Sequence, residues 1–192
     1  MEKKGPKPSL TVGREELLVD GSDELFRTLV HNLFAFLNRH EAIRSGHAKY
    51  IGLAGIEYSI LISISRLQNN QDVSIKAVGD HLHVTGAFVT RVVHKLVELG
   101  LVHKEVSPAD KRRVSLTVTA DGMRKLNELS PIQRKVNDVE FASLTRGEFV
   151  ALAGIVERLV ADSSNAVALQ SYLEETAANA KPEPAARHRA KH

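Results

Sequence analysis

Residues 85–100 read TGAFVTRVVHKLVELG, and the fold of the chain turns on this stretch. Thr85 can cap a helix with its hydroxyl, and Gly100 can stop one by taking a positive φ. Between them Val89, Val92, Val93, Leu96, Val97 and Leu99 supply a broad apolar face at helical spacing. The front of that helix is lightly built from Gly86, Ala87, Thr90 and Arg91; Phe88 is its one large apolar side chain, and the spacing does not fix its direction. Small, hydroxyl and cationic residues over the first two turns suit a DNA major groove, where Arg pairs with guanine and Thr meets a thymine methyl or a phosphate. An ordinary amphipathic surface helix fits this segment alone equally well.

The residues downstream favour the first reading. Segments 101–106 and 113–118 read as two strands, with Val102 and Val106 on one face of the first and Val114, Leu116 and Val118 on one face of the second. Ser107, Pro108, Ala109, Asp110, Lys111 and Arg112 form a polar turn sequence between them. Helix, strand, basic turn, strand is the layout of a winged helix-turn-helix. Lys111, Arg112 and Arg113 stand in a row at the tip; such a run is often only a solvated loop, but beside a recognition helix it offers cations to phosphates or to a narrow minor groove.

At this point the chain resembles the MarR family of bacterial transcriptional regulators. The first helix of the motif is matched by Ser74-Ile75 through Leu82 and Val84, and the recognition helix by Thr85, Val89-Thr90-Arg91 and Leu96. Gly100-Leu101-Val102 matches its exit, Pro108-x-Asp110-Lys111-Arg112 the wing, and Leu116-Thr117-Val118-Thr119 through Gly122 the return. The match covers residues 72–122, and the order of helices is consistent over 22–177. The resemblance implies that Asp110 braces Arg112 as it reaches a minor groove. It implies a homodimer on a double-stranded DNA operator, and a small-molecule effector seated between dimerisation helices and winged domain. The run 81–90, with 19–23 upstream, is similar to a subgroup whose effectors include aromatic acids and their coenzyme A thioesters.

The expected architecture is mainly α with a small β-wing, a winged helix-turn-helix plus a helical dimerisation region. Its parts are a flexible arm (1–21), a dimerisation helix (22–50), the winged DNA-binding region (51–119), C-terminal dimerisation helices (120–177) and a disordered basic tail (178–192). The DNA-facing residues are expected to be Ser74, Thr85, Ala87, Thr90, Arg91, Lys95, Asp110, Lys111, Arg112 and Arg113. The segments matching the family's ligand site offer His31, Phe34, Asn38, Tyr50, Tyr58 and Arg66. Phe34 and Tyr58 also read as plain core residues, and His31, Asn38 and Arg66 as solvated ones. Leu25, Leu29, Phe149, Leu152 and Val156 are expected in the dimer interface.

Composition restricts the alternatives. The 192 residues include no cysteine, which excludes disulfides, thiolate metal sites and cysteine redox sensing. No apolar run is long enough to span a bilayer and no start resembles a secretory signal, so a cytoplasmic protein with no membrane partner is expected. The net charge of +3 is accounted for by the tail 181–192; residues 76–113 hold a local excess of seven Lys or Arg over four Asp or Glu. Of the nine histidines, His81 and His83 are two apart and His40 and His47 seven apart. Neither spacing makes a metal site, and solvated or hydrogen-bonding roles are expected, with no cofactor. No GxSxG, phosphate-binding loop or H-E-x-x-H marks an enzyme. A ligand-free architectural DNA-binding protein, and a scaffold that keeps the fold without binding DNA, remain as competing readings.

Along the chain, Ser22 can cap a helix rich in Leu25, Phe26, Leu29, Val30, Leu33, Phe34, Phe36 and Leu37, apolar around much of its girth and expected to end before Gly46. Segment 51–68 reads as a second helix, and Ser74 caps a third, in which Gly79 permits close packing. His83 must take the turn that a glycine often takes, which its tolerance of positive φ allows. A helix from 120 to about 144 is expected to be interrupted at Ser130-Pro131. Thr145 and Glu148 have capping-box spacing for a last helix reaching towards Leu173.

Overall fold

The computed structural model describes residues 9–69, 73–106 and 114–179. The order of elements is α1 (Glu24–Tyr50), α2 (Gly55–Leu67), α3 (Ile75–Leu82), α4 (Gly86–Glu98), β1 (Val102–Val106), β2 (Val114–Val118), α5 (Ala120–Glu140) and α6 (Arg146–Asn179). The chain divides into two compact units, one ending at Asp138 and one beginning at Val139.

In the first unit α2, α3 and α4 pack around a core to which β1 and β2 add their inner faces. Ile60, Leu61, Ile64, Val78, Val89 and Leu96 are fully buried. The strands pair antiparallel, from Val102 opposite Val118 to Val106 opposite Val114. Val102 is buried and Val106 exposed, because the hairpin leaves the core as it runs towards its tip. The Leu116 N–H donates to the Val73 carbonyl at 2.8 Å, an isolated bridge that ties the start of α3 to the hairpin. The Gln68 Oε1 accepts the Val118 N–H at 2.9 Å, so the end of α2 holds the same strand.

The step from β2 into α5 is tight. The Thr119 hydroxyl donates to the Gly100 carbonyl at 2.7 Å and accepts the Gly122 N–H at 3.1 Å. A Cβ on Gly122 would lie 2.4 Å from the Leu101 carbonyl oxygen and 2.6 Å from Val118 Cγ1, so this position has room only for glycine.

Several expected boundaries change. The first helix does not end before Gly46 but runs through it to Tyr50. A mid-helix glycine costs about 1 kcal/mol, and burial of the next two residues, His47 and Ala48, outweighs it. Gly52, at φ 72°, ends the turn after α1: the Gly52 N–H reaches Lys49 O at 3.1 Å and the Leu53 N–H reaches Ala48 O at 2.9 Å. That closure delays α2 to Gly55, after an extended Ala54 whose N–H is accepted by Glu57 at 2.9 Å. Pro131 does not interrupt α5. Pro131 and Asn127, whose carbonyl loses its intrahelical donor, are both exposed, so water can satisfy that group. α5 ends at Glu140 and α6 continues to Asn179.

The Ser22 hydroxyl accepts the Glu24 N–H at 3.3 Å, although the cap position itself belongs to Asp23. Asp23 is buried and gathers the arm: it accepts the Thr11 N–H and hydroxyl, both at 2.7 Å, and pairs with Arg27 at 3.0 Å. The two Thr11 hydrogen bonds, then Arg27, hold its carboxyl down at about 2. In the second unit the Thr145–Glu148 capping box forms, with each backbone N–H donating to the other residue's side chain, at 2.8 and 3.3 Å. Among the described residues no single helix is long and apolar enough to cross a membrane.

Candidate nucleic-acid interface

The site is built on α3, the three residues 83–85 and α4. The Ser74 hydroxyl accepts the Ala77 N–H at 3.0 Å and starts α3; the Thr85 hydroxyl accepts the Phe88 N–H at 3.3 Å and starts α4. Between them His83 sits at φ 53°, ψ 43°, and the Val84 N–H closes onto Gly79 O at 3.0 Å. Histidine thus does at this end what Gly52 and Gly100 do after α1 and α4. Gly79 is small for the turn rather than for the next helix: a Cβ there would lie 3.0 Å from the Val84 carbonyl oxygen.

α4 has two distinct sides. Val89, Val93 and Leu96 are buried, while Ala87, Thr90, Arg91, His94 and Lys95 are exposed. The exposed set follows helical spacing and forms one polar and cationic strip. The Thr90 hydroxyl donates to Gly86 O at 2.8 Å, so what it offers outward is a methyl and an acceptor. The Arg91 guanidinium carbon lies 5.7 Å from the centroid of the Phe88 ring, which gives Phe88 the direction the spacing left open. His94 pairs with Glu98 at 3.4 Å; it is on the same strip and was missed in the sequence, though its place three residues after Arg91 was signal enough. The hairpin register is described from Val102 opposite Val118 to Val106 opposite Val114. Asp110, Lys111, Arg112 and Arg113, and the bracing of Arg112 by Asp110, lie outside the described residues.

The six expected ligand residues lie on α1 and α2. His31, Phe34 and Asn38 share one exposed face of α1, and the Asn38 amide donates back to Phe34 O at 3.0 Å. Tyr50 is exposed at the end of α1, and Arg66 is exposed near the end of α2. Tyr58 is buried: its hydroxyl accepts from Gln133 at 2.7 Å, its ring stands edge-on to His47 at 6.3 Å, and burial pushes its pKa up. Sequence reasoning missed the polar cluster beside it. Arg44 pairs with Glu41 at 3.4 Å and donates to the Ser59 hydroxyl, which donates to Gly55 O at 2.7 Å. Buried Ser59 and Ser63, one turn apart on an apolar helix, were the available signal.

The expected interface residues are exposed in the single chain: Leu25 and Leu29 on α1, and Phe149, Leu152 and Val156 on α6. A recess of 510 Å³ in the second unit, lined by Phe141, Leu144, Thr145, Arg146, Phe149 and Val150, includes none of the six ligand candidates.

Comparison with known proteins gives one reading. The model of the MarR family matches residues 51–113, beginning directly after α1. The transcriptional repressor NicR of Pseudomonas putida is 27% identical over 137 residues, covering 71% of this chain and 84% of that protein. A putative regulatory protein for the hcr operon of Thauera aromatica is 29% identical over 98 residues, covering 51% of this chain and 59% of that one. Among solved structures, Bordetella bronchiseptica BpsR, whose DNA binding is described as regulated by 6-hydroxynicotinic acid, aligns with TM-score 0.56 at 24% identity, covering 68% of this chain and 91% of BpsR.

Proposed function

We propose that this chain, which belongs to the MarR family of transcriptional regulators and is not an enzyme, binds a palindromic operator as a homodimer and leaves it when an aromatic acid or its coenzyme A thioester binds. The observation that carries the reading is the two-sided α4. Val89, Val93 and Leu96 on its inner side are buried in the core, although Val97 and Leu99 at its end are exposed, and Ala87, Thr90, Arg91 and Lys95 are left on the outer surface. Arg91 is the base-reading cation and Lys95 a phosphate contact. Arg91→Ala costs about 1–3 kcal/mol of operator affinity if the contact is bidentate to guanine. Asp110, Lys111, Arg112 and Arg113 add contacts from the wing. The protein acts as a repressor in the cytoplasm, a role supported by the name of NicR.

The aromatic effector is supported by the ligand of BpsR. In this chain His31, Phe34 and Asn38 present a ring and two polar groups on one face of α1, and Arg66, Tyr50 and Tyr58 complete the candidate set. An effector acts only through preferring one conformation, and a tenfold loss of operator affinity requires a preference of about 1.4 kcal/mol. The same factor must appear in effector binding when operator is present. Calorimetric titration of 6-hydroxynicotinic acid, of benzoic acid and of benzoyl-coenzyme A, with and without operator duplex, tests this. The reading predicts weaker effector binding on DNA. Equal affinity in both titrations removes the inducer role, and operator binding with no response to any of the three leaves the architectural reading in its place.

A further inference from the structure

We propose that Phe88 is a positioning residue for Arg91, holding its guanidinium on the outer face of α4 ready to read a base; this rests on the operator-binding reading above. The two residues are three apart on one helix, so their side chains are neighbours. The guanidinium carbon stands 5.7 Å from the ring centroid, within the range of a cation–π contact. Phe88 is half-buried, yet unlike Ile75, Leu82, Val84 and Val92 around it, it does not pack against the core cluster. Gly86 and Ala87 beside it carry almost no side chain to cover it. A large ring at the third position of a helix, neither in the core nor wholly exposed, is accounted for by the cation lying over it.

Other cations of this unit are held by carboxylates: Lys76 is paired with Asp80, and Arg124 with both Asp121 and Glu128. Lys95, one turn after Arg91, has neither a carboxylate partner nor a ring among the described residues. Among the described residues no carboxylate pairs with Arg91. The difference matters for readout. A carboxylate would occupy the N–H fork that guanine O6 and N7 require; a ring face restricts the side chain and leaves all five N–H donors free. An arginine already restricted loses less rotamer freedom on docking, and that saving appears only where its fork meets a base.

The test begins with selection of a preferred half-site from a randomised duplex library by the full-length wild-type chain. Affinities are then measured for every single-base-pair variant of that site and for calf-thymus duplex, at several salt concentrations. Phe88→Leu keeps an apolar side chain and removes the ring. It is expected to lower discrimination at the base pair read by Arg91 by about two- to fivefold, the size of an exposed cation–π contact. Calf-thymus affinity and the salt slope should stay as they were, because no phosphate contact is lost. Phe88→Tyr should restore discrimination, and Phe88→Leu should have no further effect in an Arg91→Ala background. Full discrimination by Phe88→Leu overturns the proposal, as does a parallel loss on calf-thymus duplex, a matching fall in melting temperature, or an additive loss with Arg91→Ala. If the wild-type chain enriches no sequence at all, the operator-binding reading fails first and this inference falls with it.

Discussion

The apolar residues of the winged core and those of the long helices have opposite fates in the single chain. Ile60, Leu61, Ile64 and Leu96 are 0% exposed, whereas Leu25 is 60% and Phe34 68% exposed on α1. α6, 34 residues long, has no buried residue, although Phe149, Leu152, Ile155, Val156, Leu159 and Val160 follow one another along it. Both regions carry large apolar residues at helical spacing, so spacing alone does not separate them. The core residues are covered by their own chain, and an exposed apolar surface of that length is the mark of an interaction site. In this account a second copy supplies the cover.

The sharpest way to break the comparison is to damage the self-covered region. Leu96→Ala should destabilise the fold by about 2–5 kcal/mol, read by urea denaturation, since it empties a fully buried position between α4 and the hairpin. A charge on the exposed side should act elsewhere. Leu152→Glu or Val156→Glu should weaken dimerisation by about 1–3 kcal/mol in sedimentation equilibrium, leaving the circular dichroism of the fold intact. If the charge unfolds the chain and the cavity does not, the two regions have been assigned the wrong way round.

A smaller effect is expected at the arm. The Asp23 carboxyl has a pKa of about 2 in the fold against 3.8 ordinarily, so its contribution to stability is present above pH 3.8 and lost as pH falls through about 2. Asp23→Asn should remove that part of the acid transition and nothing near neutrality beyond a constant offset; an unchanged acid limb would show that the Thr11 and Arg27 contacts do not hold. The smallest change is expected at the turn between α3 and α4. His83→Gly relieves a left-handed conformation but adds freedom to the unfolded chain, for a net gain of up to about 1 kcal/mol in melting experiments. A loss would mean that the histidine side chain does more than tolerate the turn.

What could be read from the sequence was local. Ser74, Thr85 and the Thr145–Glu148 pair cap helices because the cap and the N–H it satisfies are three residues apart. His83 could be placed in the turn because the alternatives were few. The hairpin was visible from its alternation and its turn. The boundaries that failed were those where a local rule met a distant contact. Gly46 lies inside α1 because the following turn is buried, and Pro131 lies inside α5 because that side faces water. The Arg44–Ser59 contact depends on which turn of α1 crosses α2, which periodicity alone does not state. The two sides of α4 could be separated, but the use of Phe88 could not, since a ring at that spacing can turn towards core or cation.

The most direct measurement is sedimentation velocity of the full-length chain, free and with a duplex carrying two inverted half-sites one helical turn apart. Two recognition helices must reach successive major grooves, roughly 34 Å apart, which one chain cannot do. The account predicts a two-chain species at micromolar concentration without DNA and two chains on each duplex. A monomer in both conditions, binding one half-site as tightly as the pair, would contradict it.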